Sequence, residues 1–174
     1  MELRRRLGVA AMLGLLAGCA PATTWQRVEL GDFRPASLAA SADGVLVGGQ
    51  ENSAPGLIRV AGTARGAAFT LRPGEPAAQQ ATLISVAADA DAVHAIGRMF
   101  AGAHSNPRLT IWDGTGTSGV LTSHPQEFFT FGGHDAGPLL GTMVPEGEPV
   151  ILGSRTTATG AEAVLWTRSG TTWH

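Results

Sequence analysis

The sequence predicts an all-β fold built from repeated units. Three short apolar runs, residues 45–49, 93–97 and 150–153, each follow a small or polar turn and contain or end in glycine. About ten residues after each run comes a second strand-like segment, at residues 56–60, 108–112 and 161–166. Each pair of segments is typical of a β-hairpin. No window of a dozen residues after the N-terminal region shows helical apolar spacing without an interrupting Gly or Pro.

A second repeat indicates the length of the unit. Thr23-Thr24-Trp25 returns as Thr171-Thr172-Trp173, which leaves room for three units of about 49 residues. Units of about 40 to 50 residues with four strands each are typical of β-propeller blades. We therefore predict a partial propeller of about three blades over residues 25–174, with a strand also at residues 26–30. Because three blades rarely close a ring, the chain is a truncated propeller, a half propeller that associates with a second copy, or a fold with another number of blades.

The last unit carries the most specific pattern. Gly170, Thr172 and Trp173 follow the spacing Gly-x-Thr-Trp. This ending resembles the Asp box, Ser-x-Asp-x-Gly-x-Thr-Trp, of sialidase-type (BNR-like) β-propellers, including uncharacterised secreted actinobacterial proteins. Trp166 and Arg168 occupy the Ser and Asp positions, so the first half of the box is lost. The resemblance implies a fold and no activity, since sialidases use a Tyr nucleophile and this chain contains no Tyr.

The N-terminal segment predicts export. Residues 1–6 carry three arginines, residues 7–16 are apolar, and small residues follow, which is the order of a secretory signal. Ten helical residues cover about 15 Å, half of a hydrocarbon core of about 30 Å. Leu16-Ala17-Gly18-Cys19 then resembles the lipobox of bacterial lipoproteins. That resemblance implies acylation of the Cys19 sulfur, by chains such as palmitate, and cleavage immediately before it.

The predicted domains follow from this cleavage. Residues 1–18 form a signal peptide, residues 19–24 the lipidated cysteine and a tether, and residues 25–174 the repeat domain. The protein is then expected on the outer face of the cytoplasmic membrane, with membrane lipid as a partner through Cys19. The alternative is an ordinary signal peptide with an incidental cysteine, which as the single Cys has no partner for an internal disulfide.

Charge argues against nucleic acid as a partner. The chain has no Lys, and all twelve basic residues are Arg. Cleavage before Cys19 removes three of these arginines and one acidic residue, leaving nine arginines against thirteen acidic residues. No basic stripe remains to neutralise phosphates.

Candidate chemistry in the body is sparse. Residues 114–119 match G-x-G-x-x-G, but a strand-like segment follows where a dinucleotide site needs a helix, so we expect a hairpin loop. The histidines show no metal-ligand spacing; they are His94, His104, His124, His134 and His174. His134-Asp135, in a Gly-rich turn, is the candidate binding-loop pair, with a solvated turn as the alternative. For the tryptophans at strand ends, Trp112, Trp166 and Trp173, we expect packing between sheets and not sugar stacking.

These observations together predict a non-catalytic binding or structural module without a cofactor or metal. Its ligand is a carbohydrate or a protein, and a homo-oligomer that completes the propeller is a further expected partner. Two alternatives stay open. One is a sialidase-like hydrolase, which needs Asp, Glu and Arg converging on one face. The other is a nonfunctional fragment of a longer propeller protein.

Overall fold

The fold is all-β, as the sequence predicts. The computed structural model describes residues 25–101 and 106–174. The strands in these two ranges are β1 (Arg34–Ser41), β2 (Gly44–Glu51), β3 (Ala54–Ala61), β4 (Ala64–Ala68), β5 (Thr70–Arg72), β6 (Thr82–Asp89), β7 (Ala92–Ala101), β8 (Asn106–Thr115), β9 (Val120–His124), β10 (Ala136–Met143), β11 (Val150–Thr157), β12 (Gly160–Ser169) and β13 (Thr172–Trp173). The helical segments described are 3-10 turns at Pro76–Gln80 and Pro145–Gly147 and a four-residue helix α1 (Phe128–Phe131).

The strands form three separate sheets, each built on an antiparallel meander of four strands in chain order. Sheet I has the order β1-β2-β3-β4, and sheet III has the order β10-β11-β12-β13. Sheet II has the order β5-β9-β8-β7-β6, in which the short β5 pairs parallel with β9. All six predicted hairpin segments lie within strands, at β2 and β3, β7 and β8, and β11 and β12. None of the three sheets closes on itself.

Two details differ from the prediction. Residues 26–30 form no strand, because no neighbouring strand pairs with them. Instead Val28 and Leu30 pack against sheet I. The units are also unequal in length: their second strands begin at Gly44, Ala92 and Val150, and the longer spacing includes the connection that carries α1.

The first strands of the three meanders, β1, β6 and β10, lie side by side. The Ser37 hydroxyl of β1 donates a hydrogen bond of 2.9 Å to the Leu83 carbonyl of β6. In turn, the Thr142 backbone N–H of β10 donates one of 3.0 Å to the Ser85 hydroxyl of β6. These bonds tie β1, β6 and β10 together, so the sheets stack in chain order.

Apolar side chains fill the two spaces between the sheets. Leu46 and Leu57 of sheet I form one cluster with Val86, Val93 and Trp112 of sheet II. A second cluster lies between sheets II and III and comprises Ile96, Ile111, Phe131, Ile151, Trp166 and Trp173. The three tryptophans that end strands in the sequence pattern are therefore buried between sheets, as predicted.

Trp112 also explains a glycine in the strand beside it. Its indole N–H donates to the Thr110 hydroxyl, 2.9 Å away, on the face of Gly97. A Cβ at Gly97 would collide with both groups. Glycine at this strand position therefore makes room for the indole.

Candidate functional site

A cleft of about 740 Å³ lies at one edge of sheets II and III, where β6, β8 and β10 begin. We call this feature the cleft. It is bordered by the connections that precede β6 and β10, and by the end of β7 and the start of β8. The side chains that give it chemical character are Glu75, Arg98, Phe100, Arg108, Glu127, Phe128 and Phe129.

Helix α1 sets the aromatic wall of the cleft. Phe131 is buried and lies edge-on to the rings of Trp166 and Trp173, with both centroid distances 5.6 Å. Phe128 and Phe129 point away from that core, with centroids 5.2 Å apart and rings nearly perpendicular. One turn of helix therefore anchors itself in the inter-sheet core and presents two exposed phenyl rings to the cleft.

Two glycines complete this turn. A Cβ at Gly132 would press against the Phe128 carbonyl oxygen, and Gly133 adopts a positive φ of 97° that L side chains rarely tolerate. They lead the chain to His134, which lies at the rim of the cleft. Its Nδ1 lies 2.8 Å from Oδ1 of Asp135, and the His134 side chain is 99% exposed. The predicted pair thus forms a contact in a solvated turn.

Arginines form the polar part of the aromatic wall. The guanidinium carbon of Arg98 lies 5.3 Å from the Phe100 ring centroid, and that of Arg108 lies 5.4 Å from the Phe128 centroid. Among the described residues, neither arginine forms an ion pair or a side-chain hydrogen bond. Their donors face the cleft while their planar groups rest on aromatic rings.

A carboxyl group borders the same space. Glu75 directly precedes the 3-10 turn at Pro76–Gln80, and its Oε1 is buried without a hydrogen-bond partner in the described part of the chain. Burial raises the pKa of this carboxyl above its ordinary value. Glu127 adds a second carboxyl to the lining.

A separate polar cluster surrounds Asp113, farther along the contact between sheets II and III. Arg168 of β12 forms an ion pair with Asp113 of β8, and both side chains are mostly buried. The Nε2 atoms of His94 and His124 lie 3.7 Å and 3.6 Å from the two Asp113 carboxylate oxygens. Sequence spacing does not reveal this cluster, because its members come from four different strands. Part of the cluster could be predicted from the antiparallel register of β7 and β8, in which His94 pairs directly with Asp113.

His94 is the buried member of this cluster. Its Nδ1 lies 2.7 Å from the Thr142 hydroxyl, which itself donates to the Val150 carbonyl at 3.0 Å, so the ring donates from Nδ1. Its Nε2 has no hydrogen-bond partner among the described residues. Burial lowers the pKa of His94 to about 4, outweighing the attraction of Asp113. The ring is therefore neutral at physiological pH.

The G-x-G-x-x-G segment forms the β8–β9 hairpin loop, as predicted. Both the backbone N–H and the hydroxyl of Thr117 donate to Oδ1 of Asp91 at 2.6 Å. The Gly116 N–H donates to the Asp91 carbonyl at 2.7 Å. The Thr117 hydrogen bonds also lower the pKa of Asp91. The loop donors thus bind a carboxylate of the protein itself.

The segment that resembles the end of an Asp box forms the β12–β13 hairpin. Gly170 lies in the turn with a φ of 61°, and Trp173 is buried in β13. Arg168, at the position of the Asp of the box, extends across to Asp113 in sheet II and lies 5.4 Å from the Trp173 ring centroid. This position therefore joins two sheets.

Other predicted features lie outside the described residues or form no site within them. Cys19 and the residues of the predicted lipobox, Leu16, Ala17 and Gly18, lie outside the described ranges, as does His104. Within those ranges, no group of three or more His, Cys, Asp or Glu side chains is placed to hold a metal ion. No helix there has the length and apolar character needed to cross a membrane.

Comparison with known proteins adds no assignment. No protein-family model matches the sequence, and no curated protein matches it. The cleft and the Asp113 cluster are therefore interpreted from their own chemistry.

Proposed function

We propose that the chain is a lipid-anchored extracytoplasmic protein whose body binds a ligand in the cleft without transforming it. The observation that carries the proposal is the combination of exposed phenyl rings with two arginines that have no ion-pair partner among the described residues. The volume also lies within the range of about 300–1,000 Å³ typical of small-ligand sites.

The body of this protein is proposed to be propeller-like. Three successive meanders with their first strands side by side are the arrangement expected of consecutive blades. The edge that carries the cleft is built from the connections that join one sheet to the next. Connections of this kind commonly carry function on a rigid scaffold.

A carbohydrate is the ligand class that suits the cleft. The C–H faces of a sugar ring pack on phenyl rings such as Phe128 and Phe129, and guanidinium groups donate to hydroxyl oxygens. A cleft of this size holds a few sugar units, which favours a carbohydrate. A protein partner would reach the exposed rings only by inserting a single loop.

The binding experiment uses the full chain in detergent micelles on an oligosaccharide array. Arg108→Ala and Phe129→Ala are expected to weaken binding of the retained sugars at least tenfold. Arg72→Ala, an exposed arginine of β5 that is not part of the cleft, is the matched control and should bind like the wild type. Equal binding by all four proteins would place the ligand elsewhere.

The membrane anchor is tested separately. An acyl-chain probe fed to expressing bacteria is expected to label the wild-type chain and not Cys19→Ala. An unlabelled wild type would remove the anchor from the proposal, while leaving the cleft argument intact.

A sialidase-like hydrolase is the second candidate, because two carboxyl groups and two arginines border one cleft. Burial raises the pKa of Glu75, which is the direction that a proton donor requires. Fluorogenic glycosides test this class. Turnover abolished by Glu75→Gln, but not by Glu162→Gln on the exposed part of β12, would replace the non-catalytic proposal with a hydrolase.

A further inference from the structure

The packing between consecutive sheets follows one pattern in both internal contacts. We call the side of a sheet that faces the next sheet in chain order its forward face, and the opposite side its rear face. On the forward face of sheet I, Leu57 of β3 is buried against sheet II. On the forward face of sheet II, Ile111 of β8 is buried against sheet III.

Strand register identifies the same position in sheet III. The first strand of each meander, β1, β6 or β10, has a register shift relative to the next strand. After this shift Ser37 pairs with Gly48, Ser85 with Ile96, and Gly141 with Leu152. The next strand then places Leu57 opposite Gly48, Ile111 opposite Ile96, and Leu165 opposite Leu152. Leu165 therefore corresponds to Leu57 and Ile111.

The forward face of sheet III is apolar and exposed. Leu165 is 58% exposed, whereas Leu57 and Ile111 are 1% and 0% exposed. Met143 lies on the same face, because it pairs with Val150 two residues before Leu152, and it is exposed as well. No described residue covers this face as sheets II and III cover the faces before them.

The rear face of sheet I is exposed on the side of β1. Val86 of β6 is buried on the rear face of sheet II, where it lies against Gly48 of sheet I. By register Leu38 holds the position of Val86, since Leu38 pairs with Val47 and Val86 pairs with Ala95. Leu38 is 69% exposed.

The segment before β1 covers part of this face, where Val28 and Leu30 pack against the buried cluster, and leaves Leu38 of β1 exposed. Phe33 is buried on the rear face of sheet I with Val47 and Ile58. Phe131, which precedes β10, is buried in the same way on the rear face of sheet III, and sheet II still packs there. A preceding sheet can therefore lie against the exposed β1 side of this face while Phe33 keeps its place.

We propose that the forward face of sheet III binds the rear face of sheet I of a second copy of this chain. The occupant must be a β-sheet that presents a rear face, and sheet I of another copy supplies one. Two copies make this contact twice around a twofold axis, which closes a ring of six sheets, within the four to eight typical of propellers. This contact involves different residues from the cleft and does not depend on ligand binding.

Mass measurement is the first test. Sedimentation equilibrium of the full chain in density-matched detergent is expected to give a dimer. Leu165→Arg and Leu38→Arg should each give a monomer, because a charge enters an apolar contact. Phe129→Arg changes a more exposed apolar residue, in the cleft, and should stay dimeric. A monomeric wild type, or an open series of larger assemblies, would overturn the proposal; the monomer would favour further sheets of a longer chain as the occupant.

Cross-linking tests the register and does not depend on the arginine variants being folded. By register, Leu38 holds the position of Val86, and Leu152 holds the position of Gly48. The contact of Val86 with Gly48 therefore places Leu38 of one copy against Leu152 of the other. A mixture of Leu38→Cys and Leu152→Cys chains, both carrying Cys19→Ser, should form a disulfide-linked dimer on mild oxidation. Either variant alone should stay uncross-linked. Absence of the mixed product, or equal products from single variants, would contradict the head-to-tail arrangement.

Discussion

His94 and Thr142 join sheets II and III through a hydrogen bond of 2.7 Å between the imidazole Nδ1 and the hydroxyl oxygen. The ring that makes this bond is almost fully enclosed, and the charged groups that face it are Asp113, Arg168 and the more exposed His124. This contact makes the packing of the two sheets sensitive to acid.

The first prediction concerns pH and stability. Burial lowers the pKa of His94 to about 4 in the folded chain, against about 6.5 when unfolded. Between these values the unfolded chain binds a proton that the folded chain does not, so stability falls as pH drops from about 6.5 to 4. We expect a loss of about 2 kcal/mol at pH 5 relative to pH 7.5, measured by urea unfolding.

Two variants isolate this effect. His94→Leu places an apolar side chain at the position that Leu46 holds in sheet I, and it should flatten the pH dependence. His124→Gln removes the exposed histidine and should leave the dependence as it is. A wild-type slope that survives in His94→Leu would assign the effect to other groups.

The second prediction concerns the ion pair between Arg168 and Asp113. Both side chains are about one-fifth exposed, so removing one partner leaves the other poorly hydrated. A double-mutant cycle with alanine should give a coupling free energy of about 1–3 kcal/mol. The matched control is the Arg27–Glu29 pair, whose exposed side chains should couple by less than about 1 kcal/mol. Equal coupling in both pairs would contradict the role of burial.

The third prediction separates the two ends of α1. Phe131→Ala removes a ring packed between two tryptophans and should lower the free energy of unfolding by about 3–5 kcal/mol. Phe129→Ala removes a ring that is 77% exposed and should change it by less than about 0.5 kcal/mol. Denaturation curves of the two variants decide the matter, and a large loss in Phe129→Ala would mean that the wall of the cleft is structural.

The fourth prediction concerns Gly97. An alanine there meets the Thr110 hydroxyl and the Trp112 indole, and we expect a loss of about 1–3 kcal/mol in thermal unfolding. Gly141→Ala is the control, because its nearest heavy atom would be the Ser85 hydroxyl oxygen at 3.8 Å. If both variants unfold at the same temperature, the packing of the Trp112 indole does not require glycine at position 97.

The sequence predicts strands well where side chains alternate with turn residues. The hairpins at β2–β3, β7–β8 and β11–β12 follow from apolar runs that end in glycine, a local signal. The segment at residues 26–30 has a similar composition but no strand beside it, and pairing depends on tertiary contacts that local pattern does not contain. For the same reason, the local sequence pattern does not predict the cluster around Asp113, whose members come from four strands.

The candidate binding site was only partly visible in the sequence. The Gly-rich turn pointed to His134, which lies at the rim of the cleft, and its role in binding stays a prediction. The aromatic wall was missed, because two consecutive phenylalanines read equally well as buried or exposed residues. Only the direction imposed by Phe131 shows which rings face outward.

The helix α1 also links the cleft to two tryptophans. A ligand bound to Phe128 and Phe129 would displace the same helical turn that packs Phe131 against two indoles. Trp166 and Trp173 emit light whose colour and intensity depend on their immediate surroundings. We therefore expect a ligand in the cleft to change the intrinsic fluorescence, without any attached dye.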